Sequence, residues 1–170
     1  AGHIKKYYGT YRILKVILSY DYLWIQVRVK GGAYGCMSGF GRDGDCYMVS
    51  YLDPKLAETN EVYDKLPEYL EQFDQDERSM DRYVIGAISE MDIPKNPAAL
   101  GVRGLTAYLS GITREQLQKE RDEVIDTDAK EIRALVPYAK AVLSNNCLCV
   151  VGNENKIKEN SSLFTTVRSL

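Results

Sequence analysis

Between Ile13 and Val29 apolar side chains fall so densely that a helix built from this segment needs cover on most of its sides. Ile13, Leu14, Val16, Ile17, Leu18, Leu23, Trp24 and Val27 follow helical spacing after Thr10, a residue type suited to an N-cap. Such a helix cannot rest on a surface by one stripe; it demands partners around it. Gly31-Gly32 ends it, because glycine readily takes the left-handed backbone of a helix C-terminus. Small and aromatic residues from Ala33 to Phe40 then predict a strand, Gly41-Arg42-Asp43-Gly44 a turn, and Asp45 to Tyr51 the returning strand. A long buried helix feeding straight into a hairpin is the constraint that the rest of the chain must satisfy.

The remaining residues read mostly as helical cover. Asp53-Pro54 predicts an N-cap and a first-turn proline opening a helix to about Phe73, with Pro67 as a kink. After the polar stretch Asp74 to Arg78, a helix over Ser79 to Met91 turns Tyr83, Val84, Ala87, Ile88 and Met91 inward. Another runs from Ala98 to Ser110 and closes at Gly111. Thr113 and Gln116 fit a capping box for a charged helix to about Val124, and Asp126 or Asp128 caps the next, which ends at Asn145-Asn146. Cys147 to Gly152 is a short apolar run that predicts a buried strand, and Asn153-Glu154 begins a weak last helix. The fold class is therefore α/β (α+β), a single domain over 1–170 with helices packed on one face of a small, mostly antiparallel sheet. Three strands are thin cover for so many helices.

Composition removes several function classes. With 22 basic and 24 acidic residues, net charge −2 and no block of one sign, phosphate neutralisation is no driving force, so nucleic acid is not an expected partner. No apolar run nears the roughly 20 residues of a membrane span, and no signal peptide opens the sequence. Four cysteines without C-x-x-C spacing predict reduced thiols and a cytoplasmic setting. His3 is the one histidine, so no metal site is expected on this chain. Gly39-x-Gly41-x-x-Gly44 matches a dinucleotide fingerprint in letters, yet a strand follows it where the fingerprint needs a helix N-terminus. Cys147 and Cys149 read as core residues, Cys36 and Cys46 as unlinked, and the charged run Glu115 to Asp128 as a solvated helix face. Asn160-Ser161-Ser162 is a formal glycosylation acceptor without a secretory context.

The segment that carries chemistry runs from Asp21 to Gly35. The helix delivers Arg28 to its C-terminal end, the glycines turn the chain, and Tyr34 enters the strand. Glycines at 31, 32 and 35 leave the backbone bare for the approach of another chain. An arginine and a tyrosine placed there can both donate hydrogen bonds to one carbonyl oxygen, as acyl-transfer chemistry needs where an oxyanion develops. The ordinary explanation is a cation favoured by the helix dipole and a tyrosine favoured in a strand.

These residues carry a resemblance. Leu18-Ser19-Tyr20-Asp21-Tyr22-Leu23-Trp24 followed by Val27-Arg28-Val29-Lys30-Gly31-Gly32-Ala33-Tyr34-Gly35 resembles the C-terminal region of the presequence-protease branch of the pitrilysin/insulinase metallopeptidases. Ser50-Tyr51-Leu52-Asp53-Pro54, Ile85-Gly86-x-Ile88-Ser89-Glu90-Met91-Asp92, Tyr108-Leu109-Ser110-Gly111 and Leu148-Cys149-Val150-Val151-Gly152-Asn153-Glu154 extend it in order. The resemblance implies a clamshell enzyme whose N-terminal half holds zinc through His-x-x-Glu-His. The last domain, facing that half, contacts unfolded peptide through Arg28 and Tyr34, with Gly32 and Ala33 beside them. It implies that this chain binds no cofactor itself, zinc belonging to the N-terminal half, and that its partners are that half and a peptide substrate. Ala1 to Tyr8 leaves no room for the strands such domains carry ahead of the first long helix. The expectation is a C-terminal piece of a longer enzyme, or a truncated relative, not catalytic alone. A bared sheet edge would favour a homo-oligomer unless Ala1 to Tyr8 folds back to cover it. The alternative function is a non-catalytic peptide-binding or structural module; a nucleotide-binding enzyme is a distant third.

Overall fold

The apolar segment forms one continuous helix. The computed structural model describes the backbone of residues 2–3 and residues 7–169. Within it the helix begins as α1 (Thr10–Ile17) and continues through widened π turns over Leu18–Tyr22 and Trp24–Lys30. Tyr11, Ile13, Ile17, Leu18, Leu23 and Val27 are buried on it. Thr10 is not its cap. Gly9 holds the N-cap position, and Thr10 lies inside the first turn, buried and within 3.4 Å of the Thr127 hydroxyl. A side chain at Gly9 is excluded by crowding, since a Cβ there would stand 2.2 Å from the Glu120 carbonyl oxygen.

The helix ends where the glycine pair predicts. Gly32 has φ +86°, in the left-handed region, and a Cβ on Gly31 would meet the Val27 carbonyl at 2.2 Å. The hairpin then forms from β2 (Gly35–Phe40) and β3 (Asp45–Tyr51), in a register that pairs Phe40 with Cys46 and Gly35 with Tyr51. Cys36 sits opposite Ser50, so Cys36 and Cys46 are not cross-strand neighbours, and both thiols are free. β1 (Gly2–His3) adds antiparallel to β3, giving the order β1-β3-β2. Part of the N-terminal segment thus folds back onto the sheet; residues 1 and 4–6 lie outside the described set.

After the hairpin the chain forms α2 (Leu56–Asp64), α3 (Leu66–Glu71), α4 (Glu77–Met91), α5 (Pro97–Leu109), α6 (Arg114–Ile125), α7 (Ala129–Arg133), α8 (Val136–Ser144) and α9 (Glu154–Glu159). Several boundaries depart from the sequence reading. The helix predicted from Asp53-Pro54 starts at Leu56, because the Asp53 carboxylate accepts the Lys55 N–H and makes a turn instead. It breaks at Lys65, where Pro67 restarts it in the first turn of α3, a position that needs no N–H. Pro137 acts alike, dividing the helix capped by Asp128 into α7 and α8. The Thr113–Gln116 capping box is present in full.

Two corrections concern burial and pairing. Cys147 to Gly152 forms no strand in the structure, and Val151 is 79% exposed, so apolar composition alone does not build a ladder there. The charged run along α6 is not uniformly solvated: Glu120 is buried and takes Arg12 at 3.0 Å and Arg42 in a still closer contact. That carboxylate ties α1, the hairpin turn and α6 together, while the Glu123 carboxylate accepts the Gly9 N–H at 2.7 Å. α5 stands apart, with none of its residues buried.

Glu120→Ala should lower stability by about 2 kcal/mol in urea unfolding at unchanged m-value. A fully buried pair costs roughly 3–5 kcal/mol to break, reduced here because both arginines remain about a third exposed. A loss below about 0.5 kcal/mol, the range of ordinary surface substitutions, would mean that the clamp holds nothing.

The aromatic interior predicts alkaline instability. Tyr22 stacks on Tyr69 at 4.5 Å, and its hydroxyl donates to the Val62 carbonyl at 2.6 Å. Burial pushes both phenols up to about 12, with Glu68 adding to the rise at Tyr22 and Asp21 at Tyr69. An unfolded tyrosine ionises near 10, so above that pH the unfolded chain loses protons that the native one keeps. Their stabilising contribution is complete below about pH 10 and should be lost as pH rises toward about 12. Urea midpoints should fall across that window, less steeply in Tyr69→Phe.

Candidate functional site

The end of the long helix and the start of β2 bring Arg28 and Tyr34 together through the backbone. Arg28, half-buried, donates from Nε to the Tyr34 carbonyl at 2.9 Å. Its guanidinium lies 3.9 Å from the centroid of the Trp24 ring, four residues earlier. Four residues are close to one helical turn, so the two side chains share a face of the helix. One edge of the guanidinium is thereby fixed. Among the described residues no carboxylate pairs with it, and its terminal nitrogens make no hydrogen bond, leaving donors free on the outer side.

Tyr34 is held by its main chain and presents its side chain. Its N–H donates to the Tyr51 carbonyl at 3.1 Å, while the residue is 69% exposed. The ring meets Tyr51 edge-on, with centroids 5.8 Å apart. Gly32 is exposed and forms the turn. Ala33 is buried, its N–H donating to the Val27 carbonyl at 3.2 Å, so its own side chain packs inward. Leu52, just past β3, has φ +47°, an unusual value for a branched residue, and lies exposed beside the site.

Strand alternation extends the site into a surface. Cys46 and Ser38 face the core, whereas Met37, Tyr47, Val49 and Tyr51 stand exposed on the opposite face of the hairpin. An apolar sheet face adjoining two donors is suited to an extended chain that presents alternating side chains and carbonyls. Cys36, at the inner side, has its thiol pushed up by burial, an effect Arg28 opposes and Asp53 reinforces. Sequence reasoning missed Trp24 and Tyr51 as partners of the pair. The four-residue spacing of Trp24 and Arg28 was a signal available for the first; the second depends on hairpin register.

The donor set does not suit zinc. Among the described residues no three histidine, cysteine or carboxylate side chains gather where they could hold a metal ion. No helix of the described residues is long and apolar enough to cross a membrane.

Fold and surface together define an α/β domain that carries an exposed basic–aromatic face and, among the described residues, no metal-binding cluster. The chain matches the family model of the PreP C-terminal domain over residues 5–152, and it belongs to that family. It is 47% identical over 168 residues to Protein HypA of Clostridium perfringens, covering 99% of this chain and 17% of that protein. It is 29% identical over 167 residues to the chloroplastic/mitochondrial presequence protease 1 of Arabidopsis thaliana, covering 95% of this chain and 16% of the relative. The mitochondrial presequence protease of Xenopus laevis is 27% identical over 150 residues, covering 88% and 14%. The chain thus spans about a sixth of the length of such relatives and is a peptidase-associated domain.

Trp24 is the only tryptophan, so its fluorescence reports the stack directly. Arg28→Ala should change its emission and raise its quenching by acrylamide, while stability shifts by no more than about 1 kcal/mol, the size of an exposed cation–π contact. Unchanged fluorescence would mean that Arg28 does not rest on the ring in solution.

Proposed function

We propose that this domain is the substrate-holding wall of a zinc-dependent oligopeptidase that degrades unfolded peptides. In this reading Arg28 and Tyr34 donate hydrogen bonds to the scissile carbonyl of a peptide held against a zinc-bearing N-terminal half. Gly32 and Ala33 shape the turn that sets the two donors side by side. The carrying observation is the state of Arg28: anchored through Nε and ring stacking, yet with its terminal nitrogens unbonded among the described residues. A guanidinium serving stability alone would be expected to meet a carboxylate. The exposed sheet face continues this surface and supplies apolar contact for peptide side chains. Zinc, held elsewhere, would supply Lewis-acid chemistry; the part of this chain is to bind and orient. The reading includes a cytoplasmic setting.

The test is made in a full-length peptidase containing this domain. Tyr34→Phe keeps the ring and removes one donor, so kcat should fall by about 10²–10³-fold with little change in KM if the bond strengthens in the transition state. A variant with kcat intact, or one altered in KM alone, would favour the other reading, a peptide-binding module without a part in turnover.

A further inference from the structure

Leu52 holds a backbone conformation that does not suit it. Its φ is +47°, and among the described residues the one other non-glycine with positive φ is Asn146, a residue type that tolerates the left-handed region. For a leucine that region is costly, because its Cβ crowds the carbonyl oxygen that follows.

The bend itself has a cause. The Tyr34 N–H donates to the Tyr51 carbonyl at 3.1 Å and reaches the Leu52 carbonyl at 3.4 Å, so two successive carbonyls converge on one donor. Just beyond, the Asp53 carboxylate takes the Lys55 N–H at 2.9 Å and turns the chain toward α2. The exit from β3 therefore demands a left-handed residue. Glycine or asparagine would satisfy that demand with little strain. Nothing in the turn demands a leucine.

Nor does the core. Leu52 is 67% exposed and belongs neither to the buried core nor to the apolar residues packed against it. A strained backbone and an exposed apolar side chain are thus carried together at one position. Such strain collects where a protein meets its ligands.

The surroundings of Leu52 indicate what its side chain meets. The residue before it, Tyr51, lies edge-on to the Tyr34 ring. Two residues after it, Pro54 faces the glycine turn, since a Cβ on Gly32 would stand 3.6 Å from the Pro54 Cγ. Tyr34, Tyr51, Leu52 and Pro54 are all exposed and form one apolar rim beside Arg28.

We propose that Leu52 is a substrate-contact residue of the Arg28–Tyr34 site. Its side chain holds an apolar side chain of the bound peptide, next to the carbonyl that the two donors take, and makes the domain selective at that one peptide position. The proposal rests on the reading of Arg28 and Tyr34 as carbonyl donors and deepens it by naming a side-chain class that the site prefers.

The test uses a full-length peptidase containing this domain and unfolded peptides of about ten residues, a long strand length. The peptides are built of alanine and serine around a single leucine that is moved one position at a time. The parent should cut most readily where the leucine stands at one fixed distance from the scissile bond. It should favour that placement by about tenfold or more in kcat/KM, the discrimination that one aliphatic contact gives. Leu52→Gly and Leu52→Asn should abolish the preference through KM, and Leu52→Met should keep it. In the 170-residue chain, Leu52→Gly and Leu52→Asn should unfold at the same or a higher urea midpoint, since the left-handed backbone suits both residues. Tyr34→Phe, by contrast, should slow every placement alike, so failure of the donor reading and failure of the Leu52 contact are told apart. A preference that survives in Leu52→Gly would overturn the proposal, as would a loss spread evenly over all placements, because Leu52 would then brace another part of the peptidase. A lower urea midpoint in both variants would overturn it too, since the leucine would then be serving the fold.

Discussion

Burial of the helix from Thr10 to Lys30 is the constraint on which the structure depends. Ile13, Leu14, Ile17, Leu18, Leu23 and Val27 are buried along it, and the hairpin, α4, α6 and α7 are arranged around its N-terminal part, whereas Tyr20, Ile25 and Val29 stand exposed. The two ends of the helix differ in character. Its N-terminal end is locked by polar contacts, with the Gly9 backbone against α6 and Arg12 on the buried Glu120. Its C-terminal end opens into π turns and surfaces with Trp24 and Arg28 on show. One end secures the fold and the other displays the site.

The site is an outcome of that geometry. Arg28 is aimed by a bond to a main-chain carbonyl, which no change in the Tyr34 side chain removes. Tyr34 is aimed by its N–H on the Tyr51 carbonyl, a bond belonging to the end of the hairpin. Both anchors run through the Tyr34 main chain and neither uses the Tyr34 side chain. Substituting either one should leave the other in place, which makes the pair separable by mutation.

Much of this was legible in the sequence, for reasons that differ by element. The long helix, its glycine terminus, the hairpin turn and the capping box of α6 are each specified by neighbouring residues, and each forms as expected. The family resemblance was legible too, carried by the stretch from Arg28 to Gly35 and supported by the match over residues 5–152. What the sequence could not disclose depends on distant partners. Glu120 looks like one charge among many until Arg12 and Arg42 arrive from other elements. Leu148 to Val151 reads as a strand because composition records what a segment suits, whereas a ladder needs a neighbour at the right edge. Asp53-Pro54 reads as a helix start, yet the Asp53 carboxylate spends itself on the Lys55 N–H.

In the proposed function, peptide binds on the face bearing Arg28 and Tyr34. Nuclear magnetic resonance of the isolated chain, titrated with an unfolded peptide, addresses it most directly. The Arg28 Nε–H resonance and the Tyr34 ring signals should shift together, with Tyr51 and Met37 following and α5 silent. Shifts confined to α5 or to the helical side, with the Arg28 and Tyr34 signals unmoved at saturation, would contradict it.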